Sequence, residues 1–250
     1  MYQQSALLSM LLTDLRTIYE RDPAARNWLE VLFCYPGFQA LLFHRLAHRL
    51  HKTKIPFIPR FMSHLSRFLT GIEIHPGAVI GKGVFIDHGM GVVIGETAVV
   101  GDYALIYQGV TLGGTGKESG KRHPTIGSHV VVGAGAKVLG NIYIGDRVRI
   151  GAGSVVLRNV PSNTTVVGIP GRVTRQNNLS INVLDHDQMR DVEAEVIRAL
   201  FERVKALEKQ LEHLETQPSY LPTLENDQTT DDGKNNTDLM IAEFLDGAGI

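Results

Sequence analysis

Residues 126–156 read IGSHVVVGAGAKVLGNIYIGDRVRIGAGSVV. An aliphatic residue opens every sixth position, at Ile126, Val132, Val138, Ile144, Ile150 and Val156. The same phase runs back through Ile74, Ile80 and Ile86 and, after a two-residue offset, through Ile94, Val100, Ile106 and Leu112. Gly follows directly at 81, 95, 101, 113, 127, 133, 145 and 151, and Ala or Val tends to return four or five places on. Six is the period of short parallel strands that turn a corner after every few residues, each coil burying its face only by stacking on its neighbours. β-Branched residues pack well in such strands, and Gly tolerates the backbone of the corners. A sandwich of short strands, or chance richness in Gly and Val, would scatter the phase. Here the phase survives two insertions, which predicts a left-handed β-helix prism.

Ahead of the repeat, Leu7, Leu8, Leu11, Leu12, Leu15 and Ile18 follow helical spacing and predict an amphipathic helix over 5–19. Pro23 restricts Asp22 and ends it. A second helix is expected over 25–34, a third from Phe38 to about His51 after Tyr35-Pro36-Gly37, and a short one over 59–69. The third helix carries His44, Arg45, His48, Arg49 and Lys52 opposite its apolar side, which reads as a solvated face. Behind the repeat, Ile197, Leu200, Val204, Leu207, Leu211 and Leu214 alternate spacings of three and four. That is a coiled-coil seam or a helix packed on its own chain, and self-association is favoured. The expected fold is α+β: a helical domain 1–70, a left-handed parallel β-helix 71–173, and a C-terminal extension 174–250. The extension is read as a helix over about 187–215 and a polar, disordered tail over 216–250.

A net charge of −1 over 250 residues gives no electrostatic case for nucleic acid or an anionic membrane as partner. Cys34 is alone, so no intrachain disulfide is possible, and a reducing, cytoplasmic setting is expected. No apolar run approaches the ~18 residues of a spanning helix. Asp14 and Arg16 interrupt the first apolar run early, which argues against a signal peptide.

Chemistry is expected where the repeat breaks. In IDHGMGVV, residues 86–93, Asp87 and His88 stand where ordinary hexads have Gly and a polar filler. A His beside a carboxylate suits a general base, although a His taken alone is more often structural. The second break, TLGGTGKESGKRHPTIG over 111–127, is Gly-rich and carries Lys117, Lys121, Arg122 and His123. Such a loop suits a phosphate or carboxylate; by composition alone it is equally a solvated loop. His75, His88 and His123 raise the question of zinc, but their spacing does not favour ligands converging at about 2.1 Å, and no metal is expected.

DPA at 22–24, IHP at 74–76, IDHGMGVVIGETAVVGD from 86, GVTLGGTGKESGKRHP from 109, VVGAGAKVLGN from 131 and IGAGSVVLRNVP from 150 together resemble bacterial serine O-acetyltransferases over roughly residues 15–173. The resemblance implies acetyl transfer from acetyl-CoA, as co-substrate, to the hydroxyl of L-serine, in trimeric prisms with active sites between subunits. It makes His88 the general base. It assigns the serine ammonium and carboxylate to Asp22, Asp87, Arg122 and His123. It lays the pantetheine arm along Gly113, Gly114, Thr115, Ala134 and Ala152, the last two being equally read as corner packing.

The chain departs from the pattern where many members have Asp before IHP, oriented on the catalytic histidine. Glu73 keeps the charge with one more methylene. The helical region is shorter than in members whose extra helices join two trimers, so a trimer is expected before a hexamer. The chain ends in Ile250, and by resemblance such an end docks in O-acetylserine sulfhydrylase. Two other readings stand beside serine acetylation: a hexapeptide acyltransferase with another acceptor, and a non-catalytic trimeric scaffold that binds the sulfhydrylase.

Overall fold

A computed structural model describes residues 2–116, 119–176 and 192–215. The chain divides into two compact units, Met1–Met189 and Arg190–Ile250.

Four helices open the first unit: α1 (Tyr2–Arg21), α2 (Trp28–Cys34), α3 (Pro36–Lys52) and α4 (Ile58–Thr70). Their ends follow from local chemistry. Asn27 caps α2 by accepting from the Glu30 amide at 2.9 Å. Pro36 sits in the first turn of α3, where an amide hydrogen has no helical partner. Gly71 closes α4 in the left-handed conformation.

The repeat forms three sheets of parallel strands, each strand two to four residues long, with one five-residue antiparallel strand added at the end of the third. The first sheet stacks β1 (Glu73–Ile74), β4 (Val93–Ile94), β7 (Thr111–Gly113), β10 (Lys137–Leu139) and β13 (Val155–Val156). The second stacks β2 (Val79–Ile80), β5 (Val99–Val100), β8 (Thr125–Ile126) and β11 (Tyr143–Ile144). The third stacks β3 (Phe85–Ile86), β6 (Leu105–Ile106), β9 (Val131–Val132), β12 (Arg149–Ile150) and β14 (Thr164–Val167), and closes with antiparallel β15 (Arg172–Gln176). Hexad-opening residues pair in register from coil to coil, as in Ile74 with Ile94 and Ile94 with Leu112. All of them, from Ile74 to Val156, point into one core. Ala78, Val84, Val92, Ala98, Ala104, Val110, Val130, Ala136 and Val148 complete it. This is the expected prism.

A second core explains where the helices sit. Strands β3, β6 and β9 are buried on both faces, because Phe85, Leu105 and Val131 face outward against Ile18, Val31 and Phe38. Helices α1 to α3 therefore cover the outside of the third sheet.

The structure corrects the reading of α3. Part of its polar side is turned away from water: His44 and Arg45 are 4 % and 6 % exposed and His48 and Arg49 are half-buried, while Lys52 stays exposed as expected. In the strands, backbone N–H groups of each coil donate to carbonyls of the next, as in Glu73 to Val92 at 2.9 Å and Val93 to Val110 at 2.9 Å. The first coil's strands are thus left with carbonyls to which no strand amide donates, and buried carbonyls need donors. Helix α3 supplies them. Arg45 donates to Gly81 at 2.9 Å and Ile80 at 3.4 Å, and His48 Nδ1 lies 2.8 Å from the Pro76 carbonyl. Ser63 of α4 adds a bond to the Ile74 carbonyl at 2.6 Å. Arg45 is held in turn by the fully buried Asp14, at 2.8 and 2.9 Å. Ala40 and Leu41 plug the end of the core, and α3 acts as the polar capping element that a stacked repeat requires.

In the second unit, α5 (Val192–Glu215) carries Ile197, Leu200, Val204, Leu207 and Leu211 along one stripe, all exposed. The expected helix start at 187, the tail over 216–250 and Ile250 lie outside the described residues. No helix among those described is long and apolar enough to cross a membrane.

Candidate active site

The first break forms the corner between β3 and β4. The two extra residues let His88 and Gly89 both take positive φ, +56° and +73°, and the Gly89 amide donates back to the Asp87 carbonyl at 2.6 Å. His tolerates the left-handed region better than most residues, yet it is uncommon there. The turn throws the imidazole outward: its side chain is 75 % exposed, with Nε2 4.0 Å from Oδ1 of Asp87. Asp87 itself is mostly covered. Burial raises its carboxyl pKa, His88 opposes that rise, and the charge of Asp22 adds to it.

Asp22 reaches this corner from the end of α1. It accepts from the Tyr35 hydroxyl at 2.7 Å and from the Ala24 amide at 2.8 Å. Tyr107 occupies the position of Asp87 in the next coil, since Ile86 pairs with Ile106. Burial, with the charges of Asp87 and Asp22, raises the Tyr107 phenol pKa. Burial and the bond to Asp22 raise that of Tyr35 further. Two carboxylates and two neutral phenols thus gather beside an exposed imidazole. Carboxylates together suit an ammonium. The sequence reading found Asp22, Asp87 and His88 and missed both tyrosines; a tyrosine before Pro-Gly at a helix junction was the available signal.

The second break lies at the corner between β7 and β8. Thr97, also missed in the sequence, organises it. Its hydroxyl accepts from the amides of Arg122 at 3.1 Å and His123 at 3.2 Å and lies 2.9 Å from His123 Nδ1, to which the Thr97 amide donates at 3.2 Å. Lys121 Nζ donates to the Thr97 carbonyl at 2.6 Å. With Nδ1 accepting, the neutral ring carries its proton on Nε2. Burial, then the Arg122 charge, lowers the His123 pKa and keeps that ring neutral. The ring fits only because residue 95 is Gly: a Cβ there would collide with its Cδ2. Arg122 pairs with Glu96 at 2.5 Å. A guanidinium beside an imidazole N–H is a carboxylate receptor.

Gly113 ends β7, and Gly114 and Thr115 are exposed just beyond it. Ala134 and Ala152 stand instead on the His88 corner. There Met90, Gln108, Ala134 and Ala152 rise coil by coil, joined by bonds such as Gly153 N–H to the Ala134 carbonyl at 2.8 Å. The two alanines leave the upper part of that corner open. Glu73 is held by Arg60 and Arg67 of α4, each at 3.1 Å. Those arginines lie two helical turns apart on one face, and the carboxylate that His88 approaches is that of Asp87. Within one chain, Asp22, Asp87 and His88 come together, while Arg122 and His123 occupy a different edge of the prism. Among the described residues no three His, Cys, Asp or Glu side chains are arranged to hold a metal ion.

A prism of hexads, interrupted once for an exposed imidazole beside carboxylates and once for a basic loop, defines an acyltransferase of the hexapeptide-repeat class. Residues 123–158 match the family model for bacterial transferase hexapeptide (six repeats), and residues 1–43 match that for the serine acetyltransferase N-terminal region. A serine acetyltransferase from Synechococcus elongatus is 64% identical over 98% of this chain and 100% of its own length. One from Synechocystis is 70% identical over 85% of this chain and 86% of its own. Among solved structures, the Brucella abortus serine acetyltransferase in complex with coenzyme A aligns at TM-score 0.69 and 44% identity, covering 72% of each chain. The soybean enzyme complexed with serine aligns at TM-score 0.65 and 48% identity, covering 66% of this chain and 68% of that one. The chain belongs to the serine acetyltransferase family. Its reaction moves the acetyl group of acetyl-CoA to the hydroxyl of L-serine, giving O-acetyl-L-serine and CoA on the route to cysteine.

Proposed function

We propose that His88 is the general base of this reaction and that each active site is composed between neighbouring subunits of a homotrimer. The imidazole takes the serine Oγ proton as that oxygen attacks the thioester carbonyl, then returns the proton to the departing CoA sulfur. Asp22 and Asp87 hold the serine ammonium. Arg122 and His123, from the adjoining chain, hold its carboxylate, Arg122 exchanging part of its pairing with Glu96 for the substrate. The pantetheine arm runs past Gly113, Gly114 and Thr115 of one chain and Ala134 and Ala152 of the other. Glu73 acts on His88 through charge and positioning, with Arg60 and Arg67 fixing the carboxylate.

The observation that carries this reading is the separation of the two interruptions. A residue set suited to an ammonium and a set suited to a carboxylate stand on different edges of one prism, and a three-fold arrangement brings unlike edges together. A hexamer needs a further contact. Residues 1–70 serve as the helical domain, 71–173 as the catalytic prism and 174–250 as an extension. Ile250 docks in O-acetylserine sulfhydrylase as a short anchor. The lone Cys34 accords with a cytoplasmic setting.

The test is CoA release, followed with a thiol reagent, from acetyl-CoA with and without L-serine. Serine-dependent release should fall by roughly 10²- to 10⁴-fold in His88→Ala, the range of a lost general base. Activity surviving that change would remove His88 from the role.

A further inference from the structure

We infer that Tyr35 is a positioning residue for the serine ammonium, tying the Asp22 carboxylate of the helical segment to the Asp87 corner of the prism. The inference rests on the assignment of Asp22 and Asp87 to the ammonium and adds the group that sets their relation.

Asp22 belongs to the turn after α1, while Asp87 belongs to the first coil of the prism. No strand pairing joins them, so something else must fix their spacing. Tyr35 does so from the junction of α2 and α3. Its backbone is extended there, at φ −102° and ψ 102°, and Pro36 locks the start of the next helix. Gly37, one residue further, lies flush on the prism: a Cβ at that position would run into the Ile86 carbonyl oxygen. Ile86 directly precedes Asp87. The anchor of α3 and the carboxylate at the corner are therefore adjacent along the chain, and Tyr35 stands two residues from that anchor.

From this fixed base the Tyr35 hydroxyl donates to Oδ2 of Asp22 at 2.7 Å, leaving Oδ1 to the Ala24 amide at 2.8 Å. Both oxygens of Asp22 are thus oriented by groups that do not move with substrate. The half-buried ring packs against the apolar cluster of Ile18, Val31, Phe38, Phe85 and Leu105, as Tyr107 does, so its rotamer is held by packing. The charged and titratable groups facing this hydroxyl are Asp22 and Glu30 from the helical segment and Asp87 from the prism. All are acidic and favour the neutral, donating phenol. A donor to a carboxylate contributes more than a neutral pair does. Its removal should release Asp22 from its geometry rather than from its charge.

The experiment compares steady-state kinetics of the full-length enzyme with Tyr35→Phe, Asp22→Asn and the double variant. Tyr35→Phe should raise KM for L-serine by about five- to tenfold, within the range of a hydrogen bond to a charged group. The KM for acetyl-CoA and kcat should stay within about twofold, and the melting temperature nearly unchanged. Because Tyr35 acts through Asp22, adding Tyr35→Phe to Asp22→Asn should leave the KM for serine where Asp22→Asn alone puts it. An unchanged KM for serine in Tyr35→Phe, a fall in kcat and melting temperature without it, or effects that multiply in the double variant would each overturn the inference. If Asp22→Asn itself leaves that KM untouched, the ammonium assignment fails first and the inference falls with it.

Discussion

Asp87 is held in a state that costs the fold something. Its raised pKa means that the folded protein binds a proton more readily there than the unfolded chain does. Stability therefore declines as pH rises from the ordinary value of 3.8 through the raised one, and the penalty is complete above it. Asn at this position carries no charge to desolvate. Asp87→Asn should raise the melting temperature at neutral pH, on the order of 2 °C for a domain of this size, while raising KM for serine at least tenfold. Calorimetry and steady-state kinetics read the two effects separately, and a variant that is both less stable and fully active would refute the assignment. The acid limb of kcat/KM for serine should, for the same reason, lie above the range of an ordinary aspartate. That His88 stands beside such a group was legible in the sequence, because a single coil of the repeat fails at that point. Tyr35 and Thr97 were not, because they act on partners 13 and 26 residues away that no periodicity connects.

Helix α3 teaches how an element can be placed correctly and faced wrongly. Its apolar stripe gave its extent to within a few residues, but the polar side was read as solvated because helical pattern alone cannot register the unpaired carbonyls of a first coil. Those carbonyls convert Arg45 and His48 from surface residues into caps. His44, packed among them, is the cost. Burial, with His48, Arg45 and His75 nearby, lowers its pKa from 6.5 to about 3. The unfolded chain thus takes up a proton below pH 6.5 that the folded one refuses until about 3. Stability is lost across that window at about 1.4 kcal/mol per pH unit. His44→Leu should flatten the pH dependence of unfolding between those limits by one proton, measured by denaturant titration at successive pH values. An unchanged slope would mean that this ring titrates normally. The hexads themselves were read in full, since the inward residue of every coil is dictated by its own six residues.

The molecule as a whole has its chemistry divided between edges, and subunit mixing tests that division. His88→Ala and Arg122→Ala chains should each be nearly inactive as homotrimers. Co-expressed in equal amounts, they should recover about a quarter of the parent activity, because one boundary in four then joins an intact His88 to an intact Arg122. A site contained within one chain would recover nothing. Light scattering on the same samples reads the trimer directly. The aligned hydrogen bonds of the prism carry one further consequence. In its strands every coil offers acceptors in one direction and donors in the other, only corner amides such as Gly153 running the opposite way, so the strand ladder has a distinct head and tail. Helix α3 occupies the acceptor end, and the reversed strand β15 stops in-register parallel addition on the third sheet at the other. A chain stripped of its helices would present a bare row of carbonyls to the next molecule's amides. Strand β15 would still guard the far edge of the third sheet, so the helical segment is what closes the acceptor end of this architecture.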